Sequence, residues 1–209
     1  MDLKILVPQL SKEYNNYAEI HSVMPGIKQN YAAIVRIVSA VVNLPAELIY
    51  NFIFIESRGQ ANVKGGQSIG LMQINPQTAN YVIQYENISK ALSPSETALL
   101  RKQLGGRLDT LLKLKYTWQT TNNGVTEADL YIPEFNILIG ALLISQLIEK
   151  TKDGNTMRLD RVIWKYNRGE FSKLPSGDIN AVYAVAGNTT GPYILATLGT
   201  KGALDYLIS

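Results

Sequence analysis

The stretch "LPAELIYNFIFIES", residues 44–57, constrains the fold more than any other part of this chain. Pro45 opens a helical turn, where its missing N–H leaves nothing unpaired. Leu48, Ile49, Phe52, Ile53 and Ile55 then follow at helical spacing, with Phe54 on another side. A helix that is apolar on most sides must be enclosed by other elements. The run nevertheless ends on a carboxylate, Glu56, and Gly59 offers a stop. Two readings of Glu56 are open. It is a charge reaching solvent or pairing with Arg58, or it is a carboxyl held partly dry, with a raised pKa and a proton to donate.

The enclosing elements are legible too. "YAAIVRIVSAVV" (31–42) places Ile34, Ile37, Val38 and Val41 on one helical face. Ser93 to Glu96 is a capping box with proline at the first helical position, predicting a helix from Pro94 toward Tyr116 that Gly105-Gly106 divides. Further helices are expected over about 134–150 and 157–167, and two short ones in the tail from Gly191. Residues 60–80, with Gly65-Gly66, Gly70 and Asn75-Pro76, read as loop, and 121–124 as a turn. No sustained period-two pattern occurs. The fold class is therefore mainly α with at most a minor β element. The 209 residues are enough for one large core.

Composition removes several functions. There is no cysteine, so thiolate and disulfide chemistry are excluded, and a single histidine, His21, cannot build a histidine-rich metal site. His21 is expected as a plain surface residue. The net charge of +3 is too mild to argue for nucleic acid, although it suits an anionic polymer. The apolar core Ile5 to Val7 is broken by Pro8 and falls short of the roughly 7–15 residues of a secretory signal. The apolar run 136–150 is shorter than the roughly 20 residues that span a bilayer.

After Glu56-Ser57 come a glycine-rich loop and "GLMQINPQTA" (70–79), then "PEFNILIGALLI" (133–144), "KYNRG" (165–169) and "TTGPYI" (189–194). In this order the four blocks resemble the soluble lytic transglycosylases, with their goose-type lysozyme-like fold. The first block is specific and the others are supporting; together they cover roughly three quarters of the chain. The resemblance implies that Glu56 is the catalytic acid, that Gln73 lines a cleft and binds an N-acetyl or backbone group of a sugar, and that Tyr166 and Asn167 sit beside the scissile bond. Ser68 and Asn75 join this expected sugar-binding set. Asn136 matches a motif position, yet a cap or clamp on buried backbone explains it equally. Tyr193 either brings its hydroxyl near Glu56 or is core. Leu71 and Met72 are expected to pack.

The sequence departs from the family in several places. Val63 or Lys64 stands where a serine is usual, for which Ser68 is the candidate substitute. Lys165 replaces an alanine, and Thr189 a glutamate. The link from Ala79 to Asn136 is long, so about 85–130 is read as an inserted helical region, a cleft wall, a docking surface or merely structural. Residues 1–30 are read as an N-terminal extension packed on the domain 31–209.

Most glycosidases use two carboxylates, about 5–5.5 Å or roughly 6.5–9.5 Å apart. Here no Asp or Glu lies between Glu56 and Glu86, and Glu134 is the one acid beside a family block. A single acid suits a transglycosylase, in which one group serves as acid and then base and the sugar's own C6 hydroxyl is the nucleophile. The expectation is a peptidoglycan lytic transglycosylase acting on glycan strands, with no cofactor and no metal. A hydrolytic muramidase on the same fold, or a virion or apparatus structural protein with a weak site, are the alternatives. With no export signal expected, delivery through phage lysis or as a component of a virion or a wall-crossing apparatus fits a target outside the cytoplasm.

Overall fold

The computed structural model describes residues 9–114, 124–154 and 156–209. The N-terminal eight residues, most of the turn expected at 121–124 and the expected helix end at Tyr116 lie outside the described residues. Ten helices and four short strands are present among the described residues, a mainly α protein with minor β structure.

Helix α1 (Tyr17–Val42) and helix α2 (Ala46–Ser57) pack side by side. α1 corrects two expectations. It runs through residue 30 without a break, so the N-terminal extension is continuous with the helix expected only from residue 31. Its inward stripe is Ile20, Met24, Ile27, Tyr31, Val35, Val38 and Val42, spaced three and four apart, whereas Ile37 is 49% exposed. The longer stripe decides which side faces the core, and Pro25 within it does not end the helix because Met24 and Ile27 on either side are buried.

α2 is enclosed as its composition requires. Leu48, Ile49, Phe52, Ile53 and Phe54 are fully buried, among α1, α7 (Pro133–Thr151), α9 (Ile179–Leu198) and α10 (Ala203–Ile208). It ends when Arg58 enters the left-handed region at φ 54° and donates its N–H to Phe54 O. Gly59 continues the turn, its carbonyl accepting from Tyr31 Oη at 3.0 Å.

The stretch 60–80 is more ordered than expected. Strands β2 (Lys64–Gly65) and β3 (Ser68–Ile69) form an antiparallel hairpin. Asn75-Pro76 is no loop: Asn75 is the N-cap of α3 (Pro76–Ser89), its Oδ1 accepting Thr78 N–H at 2.7 Å, with Pro76 in the first turn. β1 (Leu10–Glu13) pairs in parallel with β4 (Gly199–Thr200), joining the two ends of the described chain.

The expected insertion holds α4 (Pro94–Leu104), α5 (Arg107–Lys113) and α6 (Glu127–Leu130). Ser93 and Glu96 form the predicted capping box, and Gly105 at φ 55° separates α4 from α5. Leu100, Leu104, Leu108 and Leu111 carry the region into the common core. α8 (Leu159–Arg168) ends at Gly169, near the expected place. The tail holds the two short helices expected, the part of α9 after its bend at Gly187 and α10, and adds an unexpected one before them, since α9 begins at Ile179, capped by Asp178. No helix among the described residues is long and apolar enough to cross a membrane. His21 is an exposed residue whose ring meets Tyr17 and Tyr206 edge-on.

Candidate active site

Six of the eight residues singled out from sequence line one cavity of about 320 Å³: Glu56, Ser68, Gln73, Tyr166, Asn167 and Tyr193, with Gly65 beside them. They come from the end of α2, the hairpin, the segment before α3, the end of α8 and α9. The burial of Phe52, Phe54 and Ile55 holds the helix end in the interior, which brings Glu56 to the cavity without surrounding it with water.

Glu56 has neither ion pair nor hydrogen bond to its carboxyl among the described residues. Arg58, the candidate partner, is engaged elsewhere. Its Nε donates to Glu19 Oε1 at 2.6 Å, its Nη1 caps the carbonyls of Phe54 and Ile55, and its guanidinium stacks 4.4 Å from the Phe54 ring centroid. Burial therefore dominates and pushes the Glu56 pKa up to about 8, with the Arg58 charge opposing in part. At neutral pH the group holds a proton.

The loop that faces Glu56 is fixed from behind by Asn136. Its Oδ1 accepts Met72 N–H, and its Nδ2 donates to Ile69 O and Leu130 O, all at 2.8 Å. Asn136 is 1% exposed, so its role is to clamp backbone, and it does not reach the cavity. Gly70 makes this possible. Its φ of 76° is left-handed, and a Cβ there would stand 2.6 Å from Asn136 Nδ2. Leu71 and Met72 are fully buried, as expected of packing residues. Asn75 likewise lies outside this cavity, since its side-chain oxygen is used to cap α3.

Gln73 lies in the left-handed region at φ 45°. Its Nε2 donates to Gly70 O at 2.9 Å and Val63 O at 3.3 Å, which leaves Oε1 without a protein donor among the described residues. Any side chain at position 65 would crowd that oxygen, which lies 2.7 Å from the place a Cβ would occupy. Tyr166 packs its ring against Phe52 and donates its hydroxyl to Met72 O at 2.6 Å. The phenol is held neutral by burial and by the nearby Glu56 and Tyr193, so it acts as a pin and an acceptor rather than as an ionised base. Asn167 Oδ1 accepts from Thr190 Oγ1 at 2.7 Å, and Thr190 in turn accepts from Arg168 Nε. Asn167 Nδ2 meets no protein acceptor among the described residues. Tyr193 is half-buried, its pKa raised by burial and then by Glu56.

Among the described residues, Glu56 is the one carboxylate lining this cavity. Glu134 lies instead in a separate groove with Ile34 and Ile37. None of the described residues of the 85–130 region lines the cavity; it braces the hairpin from outside, through Lys64–Glu127 at 2.7 Å and the Leu130 carbonyl. Sequence reasoning missed this bracing and the way Glu19 diverts Arg58. Both depend on contacts between positions far apart in the chain, for which no local pattern exists.

The arrangement offers one proton donor, an amide acceptor, an amide donor and hydroxyls around a polar cavity. No protein-family model matches the chain, and the search of curated proteins finds no match.

Proposed function

We propose that the chain is a peptidoglycan lytic transglycosylase with a lysozyme-like fold, and that Glu56 acts first as acid and then as base. The observation that carries this reading is a lone, unpaired carboxyl with a pKa near 8, in a cavity with Ser68, Gln73, Tyr166, Asn167 and Tyr193. The protonated Glu56 gives its proton to the oxygen of the bond between N-acetylmuramic acid and N-acetylglucosamine, and the bond from that oxygen to C1 breaks. The muramyl N-acetyl oxygen stabilises the cationic centre from within the substrate, and the free Asn167 amide and Gln73 oxygen suit the polar groups of that N-acetyl. Glu56, now ionised, takes the proton of the C6 hydroxyl, and O6 bonds to C1. Holding O6 against C1 makes this closure intramolecular. Proton and electron pairs balance without a second carboxylate, which agrees with a cavity lined by one.

The test is mass analysis of fragments released from purified peptidoglycan. Ends of the 1,6-anhydro form, one water lighter than reducing ends, are expected. Reducing ends alone would make the protein a hydrolytic muramidase. No release by the native chain, or equal release by Glu56→Gln, would reject the catalytic reading.

A further inference from the structure

The Glu56 cavity is the middle of three. Tyr166 is shared with a neighbouring cavity of about 380 Å³ that reaches Thr78, Tyr81 and Phe171. Tyr193 is shared with a larger one on its own side, about 540 Å³, lined by Tyr14, Arg58, Tyr183, Asn188 and Pro192. Exposed residues stand at both outer cavities: Phe171 is 69% exposed at one, and Asn188 and Pro192 are exposed at the other. Neither flank is closed by the core.

The larger chamber adds parts of the chain outside the blocks that mark the Glu56 cavity, Tyr14, Tyr183 and Asn188, to Pro192 and Tyr193 of the 189–194 block. The pairing of β1 with β4 carries Tyr14 to its wall. Tyr14 Oη donates to Glu19 Oε2 at 3.1 Å, and Glu19 also holds Arg58 Nε, so ring and guanidinium are fixed together. Opposite, α9 departs from helical geometry at Gly187, φ 64° and ψ −164°. Pro192 has no N–H to give the Asn188 carbonyl, four residues earlier. The wall therefore presents tyrosine rings beside a backbone acceptor, the Asn188 amide and Arg58 Nη2, which makes no hydrogen bond within the protein among the described residues. Ring faces suit the weakly positive C–H faces of a pyranose, and the polar groups suit its hydroxyls.

We propose that this chamber binds distal sugars of the same N-acetylated glycan strand, so that the strand runs through all three cavities and Glu56 cuts it internally rather than from an end. This rests on the reading of Glu56 as the acid that cleaves a glycan.

Two measurements test it. In the Glu56→Gln protein, calorimetric binding of N-acetylglucosamine hexasaccharide is expected to be about tenfold tighter than that of the trisaccharide, and Tyr183→Ala added to it removes most of that difference. Asn188→Glu, at an exposed position, is expected to act in the same direction without burden on the fold. Unchanged hexasaccharide affinity in both variants would overturn the chamber. With the native protein and intact glycan strands, the earliest products are expected to be long fragments with anhydro ends. Disaccharides alone from the outset would overturn internal cutting while leaving the Glu56 chemistry in place; no cleavage at all would remove both.

Discussion

Glu56 and Asp129 are both carboxyls with little access to water, and they titrate in opposite directions. Glu56 lies in the last turn of α2, at the negative end of the helix, and meets no donor. Asp129 lies in the first turn of α6, where Thr126 and Asp129 complete a capping box. Burial raises the pKa of both. For Asp129 it is outweighed by the Arg107 fork, with both bonds at 2.8 Å, and by Gln103 and Thr126, which hold the carboxyl far below the usual range. For Glu56 only the diverted charge of Arg58 opposes it. The same side-chain chemistry thus serves as a brace in one region and as a proton store in the other, and the partners decide which.

The comparison breaks most visibly through activity. Glu56→Gln keeps the shape and removes the proton, and is expected to lower peptidoglycan cleavage by about 10³-fold or more, read as release of soluble fragments. Asp129→Asn should do the reverse. It leaves Arg107 without its carboxylate and is expected to cost about 2–3 kcal/mol in denaturant unfolding, with catalysis per folded molecule unchanged.

A smaller effect concerns pH. The folded pKa of Glu56 is raised, so between about 4.5 and 8 the unfolded chain is ionised while the folded one holds its proton, and stability from this group falls as pH rises through that window. Glu56→Gln should therefore raise Tm over the native chain at pH 9 but not at pH 4, by an amount worth about 2–3 kcal/mol given the partial exposure of the site. For Asp129 the sign is opposite: its contribution is present at neutral pH and is lost as pH falls below the ordinary carboxylate range near 3.8. The smallest change is expected from Ser68→Ala, a loss of less than about tenfold in kcat/KM with the fold intact.

Local chemistry made part of this structure legible. The all-round apolar run of α2, the Ser93–Glu96 box and the Gly105 break are each decided by neighbouring residues. The "GLMQ" block was read through its resemblance, which pointed Gln73 to the cavity and Leu71 and Met72 to the packing; the left-handed Gly70 and the hydrogen bond of Gln73 to its own loop carry no sequence signal of their own. Elements held by distant contacts were not readable. The upper half of α1 is stabilised by the core contacts of Ile20, Met24 and Ile27 despite Pro25. α9 contains Gly187, Gly191 and Pro192 and survives in part because Arg168 supplies a donor to Ala186 O. Asn75 was placed among sugar-binding residues by the resemblance; its side-chain oxygen caps α3, and it lines the neighbouring cavity beside Thr78 and Tyr81. Asn136 takes the second of its two readings and clamps buried backbone.

The most direct measurement is the titration of Glu56 itself, by carbon NMR of a glutamate-carboxyl-labelled protein with the Glu56→Gln spectrum for assignment. A midpoint near 8 is expected. A midpoint near the ordinary glutamate value of about 4.3 would mean that the carboxyl is hydrated or paired, and would contradict the account.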